Sequence, residues 1–206
     1  MNAWINEQTH LAGQSVTLLP LQESHFDDLA NIASDERIWK FYAMNCVNRI
    51  TLMHELTDAL VERKKGTQFP FVIFHNGQQK IIGSTRFLLL QPRHRKLEIG
   101  WTWLHPDYWA TEVNAECKLL LLTLCFEELL TVRVQIKTDE NNIRSRKAIE
   151  TIGGQFEGIL RNDMIRENNT YRNSAYYSII EQEWPSVKER LVNLYWSRKS
   201  KQLVAH

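Results

Sequence analysis

Free backbone donors at the start of a helix are the feature of this sequence best suited to chemistry. The run Tyr108-Trp109-Ala110-Thr111-Glu112-Val113-Asn114-Ala115-Glu116 follows a strand pattern over residues 96–104 and opens a leucine-rich helix expected over residues 112–130. The first turn of a helix carries unpaired N–H groups and a partial positive charge, so a strand–turn–helix junction can hold a phosphate. The usual glycines of such a turn are absent here, and Glu112 sets a negative charge at its mouth. The rival reading is a turn that only caps its helix.

The elements around this turn follow from periodicity. Residues 14–19 read as a first strand ended by Pro20, and Ser24 caps a helix through Phe26, Leu29, Ala30 and Ile32. A second helix covers residues 51–64, with Leu52, Leu56, Ala59 and Leu60 on one face. Strands over residues 69–75 and 79–90 flank Asn76-Gly77, a strong hairpin signal. In residues 96–104, Leu97, Ile99, Trp101 and Trp103 alternate with Glu98, Gly100 and Thr102. Period-two geometry then predicts Glu98 and Thr102 on one face, opposite the aromatic residues.

Beyond the leucine-rich helix, Val132, Val134 and Ile136 mark another strand, and Asn141 or Asn142 caps a helix that ends at Gly153-Gly154. A long hairpin spans residues 155–166 and 171–180, and Trp184-Pro185 opens a last helix. This order predicts an α/β (α+β) domain. Its sheet is mixed and mostly antiparallel, with six to seven strands and helices on both faces. One domain is expected over residues 14–190, with 1–13 as an N-terminal extension and 191–206 as the end of the last helix and a tail.

Composition narrows the function classes. A net charge of +1 gives no bulk attraction to nucleic acid or to an anionic membrane, so neither is an expected partner. No apolar run is long enough to span a bilayer, and the N-terminus lacks the basic start and apolar stretch of a signal peptide, which implies a cytoplasmic location. Cys46, Cys117 and Cys125 form no disulfide framework and read as buried thiols, with a reactive cysteine as the alternative. The histidines show no metal-ligand spacing, so no metal is expected.

Taken together, Leu97-Glu98-Ile99-Gly100-Trp101, His105-Pro106-Asp107-Tyr108-Trp109, Lys118-Leu119-Leu120-Leu121, Asn142-Ile143-Arg144-Ser145 and Gly153-Gly154 resemble the GNAT acyltransferase superfamily. The resemblance is strongest to its ribosomal-protein N-terminal acetyltransferase-like branch. It covers about residues 14–190 and includes Tyr177-Ser178-Ile179-Ile180 ahead of Trp184-Pro185. It implies the GNAT fold, acetyl-CoA as co-substrate, and transfer of its acetyl group to a primary amine of a protein N-terminus or a small molecule. A homodimer is common in the family.

The resemblance also assigns roles. The family's Gln/Arg-x-x-Gly-x-Gly/Ala turn, whose backbone cradles the CoA pyrophosphate, falls on Trp109, Ala110, Thr111, Glu112, Val113 and Asn114. Tryptophan replaces its first residue, Glu112 its central glycine and Asn114 its last small residue. A carboxylate ~4 Å from a phosphate costs about 4 kcal/mol at an effective dielectric of ~20, so the side chain must turn away for the cofactor to bind. Backbone of Trp103 and Leu104 would pair with the pantetheine amides, and one N–H of that edge would stabilise the oxyanion. Asn142 would bond the pantetheine arm.

Glu98 is the candidate base that takes the amine's proton through water, and Ser145 the candidate donor to the leaving thiolate. The alternatives are a strand glutamate paired with a neighbouring arginine, and a Ser145 facing solvent behind an Asn142 that only caps its helix. Direct attack, with no acyl-cysteine intermediate, is expected. The competing function is a catalytically silent GNAT-fold binding or regulatory module with weakened CoA binding, motivated by Glu112. On the acceptor side, Trp39, Tyr42 and Arg49 are candidate contacts, and Arg144, Arg146 and Lys147 are candidates for the 3′-phosphate.

Overall fold

The computed structural model describes residues 4–204, so residues 1–3 and 205–206 of the expected extension and tail lie outside the described residues. Eight strands form one sheet: β1 (Leu11–Ala12), β2 (Val16–Pro20), β3 (Phe69–His75), β4 (Lys80–Gln91), β5 (Lys96–Leu104), β6 (Arg133–Asp139), β7 (Gln155–Ile165) and β8 (Tyr171–Ile180). Their order is β1-β2-β3-β4-β5-β6-β8-β7. The β5–β6 pair is parallel and the other neighbours are antiparallel. The helices are α1 (Phe26–Ala33), α2 (Arg49–Lys64), α3 (Val113–Thr123), α4 (Ile143–Thr151) and α5 (Trp184–Val204).

The mixed, mostly antiparallel architecture matches expectation, but with one strand more than six to seven. The addition is β1, whose two residues are too few to show an alternation. Ile5 is also buried in the core, ahead of β1. Two other expectations are corrected. Ser24 sits inside a 3₁₀ turn over Glu23–His25, whose N-cap is Gln22. The helix expected over 112–130 ends its α-helical part at Thr123 and continues as a π turn over Leu124–Glu128.

The sheet separates two cores. Val113, Cys117 and Leu121 of α3 and Val187 and Leu191 of α5 pack on one face with Leu97, Ile99, Val134 and Ile136. Leu29 and Ala30 of α1 and Leu52, Leu56 and Ala59 of α2 pack on the other with Val72 and Trp103. Each fully buried Leu, Ile or Phe among them contributes about 1.5–3 kcal/mol.

Strand β5 changes face partway. Gly100 pairs with Arg86 and Trp103 with Ser84, so Trp101 and Thr102 together oppose Thr85. Trp101 takes the left-handed conformation at φ 49°. This is a β-bulge, which bends its strand and re-aims the side chains beyond it. Leu97 and Ile99 therefore enter the α3–α5 core, whereas Trp101 and Trp103 turn to the α1–α2 side. The expectation that Glu98 and Thr102 share a face is overturned: Thr102 Oγ1 meets Lys118 of α3, while Glu98 points to the opposite face beside Gln135 and Lys137. Unbroken alternation held only up to the bulge.

The bulge also sets the outline of the sheet. β5 and β6 pair only at Lys96–Arg133, Leu97–Val134 and Glu98–Gln135. Past Glu98 the two parallel strands diverge, which leaves a wedge between them.

Candidate active site

A cleft of about 920 Å³ fills this wedge. Glu98 and Trp101 to Leu104 line it from β5, Lys137 and Thr138 from β6, and Asn142, Arg144 and Ser145 from the start of α4. The α1–α2 connection contributes Phe41 and Tyr42, and α3 contributes Asn114 and Lys118. The β7–β8 hairpin holds that connection in place: Arg166 donates to the Tyr42 carbonyl at 3.1 Å and pairs with Asp139, and Glu167 accepts from the Asn45 N–H at 3.1 Å.

The phosphate-type turn is built by local bonds. A 3₁₀ turn over Pro106–Tyr108 follows β5, and Ala110 adopts φ 63°. Thr111 Oγ1 donates to the Tyr108 carbonyl at 2.8 Å, and Arg198 of α5 donates to the Thr111 carbonyl at 3.1 Å. The Glu116 N–H bonds the Glu112 carbonyl at 3.0 Å, so the N–H groups of Val113, Asn114 and Ala115 precede the helical ladder. Thr111 Oγ1 accepts from the Val113 N–H at 3.3 Å.

The Glu112 side chain does not enter the wedge. It is 5% exposed and lines a separate cavity of about 320 Å³ with His75, Gln78, Lys80 and Tyr108. Thr111 and Val113 line that same cavity. The side chains of Thr111, Glu112 and Val113 are thus kept from the cleft, while Trp109, Ala110 and Asn114 line it. The carboxylate at the expected mouth has turned to the far side of the turn.

Trp109 is the largest departure at the mouth. Its indole N–H donates to the Leu104 carbonyl at 3.0 Å, and the Arg144 guanidinium stacks over its ring at 3.6 Å. Tyr42 donates in the same way to the Thr102 carbonyl at 2.8 Å. Two carbonyls on the free edge of β5 therefore already have side-chain partners. The Trp103 side chain is buried in the α1–α2 core, so its contribution to the wedge comes from its backbone.

Glu98 is 2% exposed and sits at the floor where the strands part. Its Oε2 accepts from Gln135 Nε2 at 2.6 Å and lies 3.9 Å from Lys137 Nζ. Burial pushes its pKa above the ordinary carboxylate value, with Lys137 and Gln135 pulling the other way. Such a group is a stronger proton acceptor than a surface glutamate and is still within reach of the cleft. Its neighbours are an amide and an ammonium rather than the arginine of the alternative reading.

Asn142 caps α4, its Oδ1 accepting from the Ser145 N–H at 3.1 Å, and both residues face the cleft. Of the acceptor-side candidates, Tyr42 lines the cleft. Trp39 is buried, donating to the Ala33 carbonyl at 2.7 Å, and Arg49 pairs with Asp27 on the surface. Arg144 and Lys147 reach the cleft, whereas Arg146 binds the Tyr177 hydroxyl at 2.9 Å.

Sequence reasoning missed Lys118, Gln135, Lys137 and Arg172 at this site. Gln135 and Lys137 alternate with Val134 and Ile136, and Lys118 falls one helical turn after Asn114, so the signals were present. Burial pushes the thiols of Cys46 and Cys117 up to about 12, and it also raises that of Cys125 well above its ordinary value. All three are free and buried. Among the described residues, no cluster of three His, Cys, Asp or Glu could hold a metal, and no helix is long and apolar enough to cross a membrane.

Residues 15–155 match the family model described as Acetyltransferase (GNAT) domain. The chain belongs to the GNAT acetyltransferase family. It is an acyltransferase, and acetyl-CoA is the acyl donor of that family. Among GNAT relatives, Bacillus subtilis YoaA, an uncharacterized N-acetyltransferase, is 25% identical over 151 residues, covering 72% of this chain and 83% of its own length. B. subtilis YdaF, provisionally described as a ribosomal N-acetyltransferase, is 34% identical over 95 residues, covering 46% of this chain and 51% of its own. The structure of Mycobacterium smegmatis RimJ in complex with CoA-disulfide shares the GNAT fold. Its TM-score is 0.77 at 18% identity, covering 93% of this chain and 96% of that one.

Proposed function

We propose that this GNAT enzyme acetylates a primary amine, of a protein N-terminus or a small molecule, by direct attack on acetyl-CoA in the β5–β6 wedge. The carrying observation is the departure of β5 from β6 after Glu98, which opens a strand edge onto a cleft large enough for the co-substrate. The backbone donors of Asn114 and Ala115, and that of Val113 once it leaves Thr111 Oγ1, would take the pyrophosphate, with Trp109, Ala110 and Asn114 beside it. The Glu112 carboxylate, turned away, would not oppose it. Trp103 and Leu104 backbone and Asn142 would meet the pantetheine arm. Trp109 would have to release the Leu104 carbonyl for a full set of such bonds.

Glu98 would take the proton of the incoming ammonium through water, and Ser145 would return one to the leaving sulfur. An N–H of β5 beyond the bulge would stabilise the oxyanion. The buried, fully protonated thiols favour direct attack over an acyl-cysteine route. YdaF's description as a ribosomal N-acetyltransferase favours a ribosomal amine as acceptor. The reading carries with it a cytoplasmic enzyme, a single domain over residues 14–190, and a homodimer as one assembly.

The test is a screen of N-terminal peptides, polyamines and amino sugars that reads thiol released from acetyl-CoA. Release that depends on an amine supports the reading. No release by any amine, with acetyl-CoA bound weakly or not at all, would instead favour the silent module.

A further inference from the structure

Three lysines line the cleft: Lys118 from α3, Lys137 from β6 and Lys147 from α4. Lys137 has Glu98 at 3.9 Å and Asp163 at 3.7 Å. Burial opposes its charge, but these carboxylates and Tyr176 outweigh it and raise its pKa. Lys147 is exposed. Lys118 is different from both. It is 6% exposed, donates to Thr102 Oγ1 at 2.9 Å, and forms no ion pair among the described residues.

Its position selects one end of the cleft. Lys118 lies five residues into α3, about 7.5 Å along the axis from the proposed phosphate turn. It abuts Thr102, the second residue of the β5 bulge, next to the strand segment that would supply the oxyanion donor. Thr102 Oγ1 is also 2.7 Å from Thr85 Oγ1. When Thr102 donates to Thr85, it accepts one N–H of Lys118, which fixes the amine in the wall of the cleft.

We propose that Lys118 is itself an acetyl acceptor, so that the chain modifies its own α3 lysine from acetyl-CoA held in the wedge. The proposal rests on the cofactor placement above. In the step, the neutral amine attacks the thioester carbonyl carbon. The N–C bond forms, the C–S bond breaks, one nitrogen proton passes to sulfur, and CoA leaves as the thiol. No further reactant is needed. Burial, partly opposed by Cys117, lowers the Lys118 pKa to about 8. Near that pH its neutral fraction exceeds that of an ordinary lysine roughly a hundredfold. The other charged groups facing the cleft are Glu62, Glu98, Lys137, Arg144, Lys147, Arg172 and Arg198. The product amide removes a buried charge and fills the acyl end of the cleft, which would slow further turnover.

The test uses the full chain incubated with acetyl-CoA near about pH 8, treated with hydroxylamine to strip thioesters and mapped by peptide mass. The expected result is an acetyl group on Lys118, at an occupancy at least about tenfold above Lys137 and Lys147, suppressed by desulfo-CoA. Lys118→Arg, checked for folding by circular dichroism, should lose that label. The wild-type map decides the matter if the variant does not fold. Acetyl-CoA binding by calorimetry with Lys118 unlabelled, or with label spread over surface lysines, overturns the proposal and leaves the enzyme reading standing. Absence of acetyl-CoA binding defeats both.

Discussion

Glu116 and Lys118 are buried charges two residues apart on α3, yet their surroundings differ sharply. Glu116 is 5% exposed and accepts backbone N–H bonds from Gln14 at 2.7 Å, Ser15 at 2.8 Å and Val16 at 2.9 Å. Gly13 lies so close that an added Cβ would stand 2.6 Å from the Glu116 carboxyl carbon. Lys118 has one hydroxyl and no carboxylate. A buried charge with its bonds filled is structural, because it locks β2 to α3. One with its bonds unfilled costs stability and is retained only where something else uses it. Glu98 stands between the two, with a close amide and a more distant ammonium.

The contrast predicts effects of opposite sign. Glu98→Gln should lower kcat/KM by about 10²–10⁴ while changing denaturation stability by about 1 kcal/mol or less. Equal activity with the chosen amine would remove Glu98 as the base. Glu116→Ala should cost about 4 kcal/mol or abolish folding, because it strands three N–H donors. A loss under about 1 kcal/mol in urea titration would show that the carboxylate does not anchor β2.

Lys118→Met should do the reverse and stabilise the chain by about 2–3 kcal/mol near neutral pH, net of one lost hydrogen bond. The same asymmetry gives a pH signature. The folded pKa of Lys118 is about 8, below the ordinary 10.5. Below the lower value both folded and unfolded chains hold the proton, and the burial cost is fully present. Between the two values the unfolded chain binds more protons, so stability rises with pH. Wild type should show this rise in denaturant midpoint and Lys118→Met should lack it. The smallest effect is expected at Ala110, whose positive φ costs about 1 kcal/mol relative to glycine. Ala110→Gly should recover part of that in thermal unfolding.

Much of this arrangement was legible in the sequence. Residues 96–104 form β5 with both ends as expected, and Asn142 caps α4, because alternation and cap chemistry are local signals. The bulge at Trp101 was not legible. Tryptophan carries no preference for positive φ, and it adopts one here amid Trp39, Tyr42 and Arg86, which pack around its ring. Missing the bulge placed Thr102 on the wrong face and hid its bond to Lys118. The Glu112 rotation was open from sequence, since an N–H donor does not depend on where its side chain points. What settled the direction is the cavity beside His75, which is formed by β3 and the turn together.

Calorimetric titration of the wild-type chain with acetyl-CoA tests the central claim most directly, because every role above requires the wedge beside β5 to hold that thioester. Saturable binding of one molecule per chain is expected, with a dissociation constant in the range of about 1 μM to 1 mM. Binding should be weakened when Asn114 is replaced by Asp at the phosphate turn. No heat at millimolar acetyl-CoA, or binding that Asn114→Asp leaves untouched, would contradict that claim.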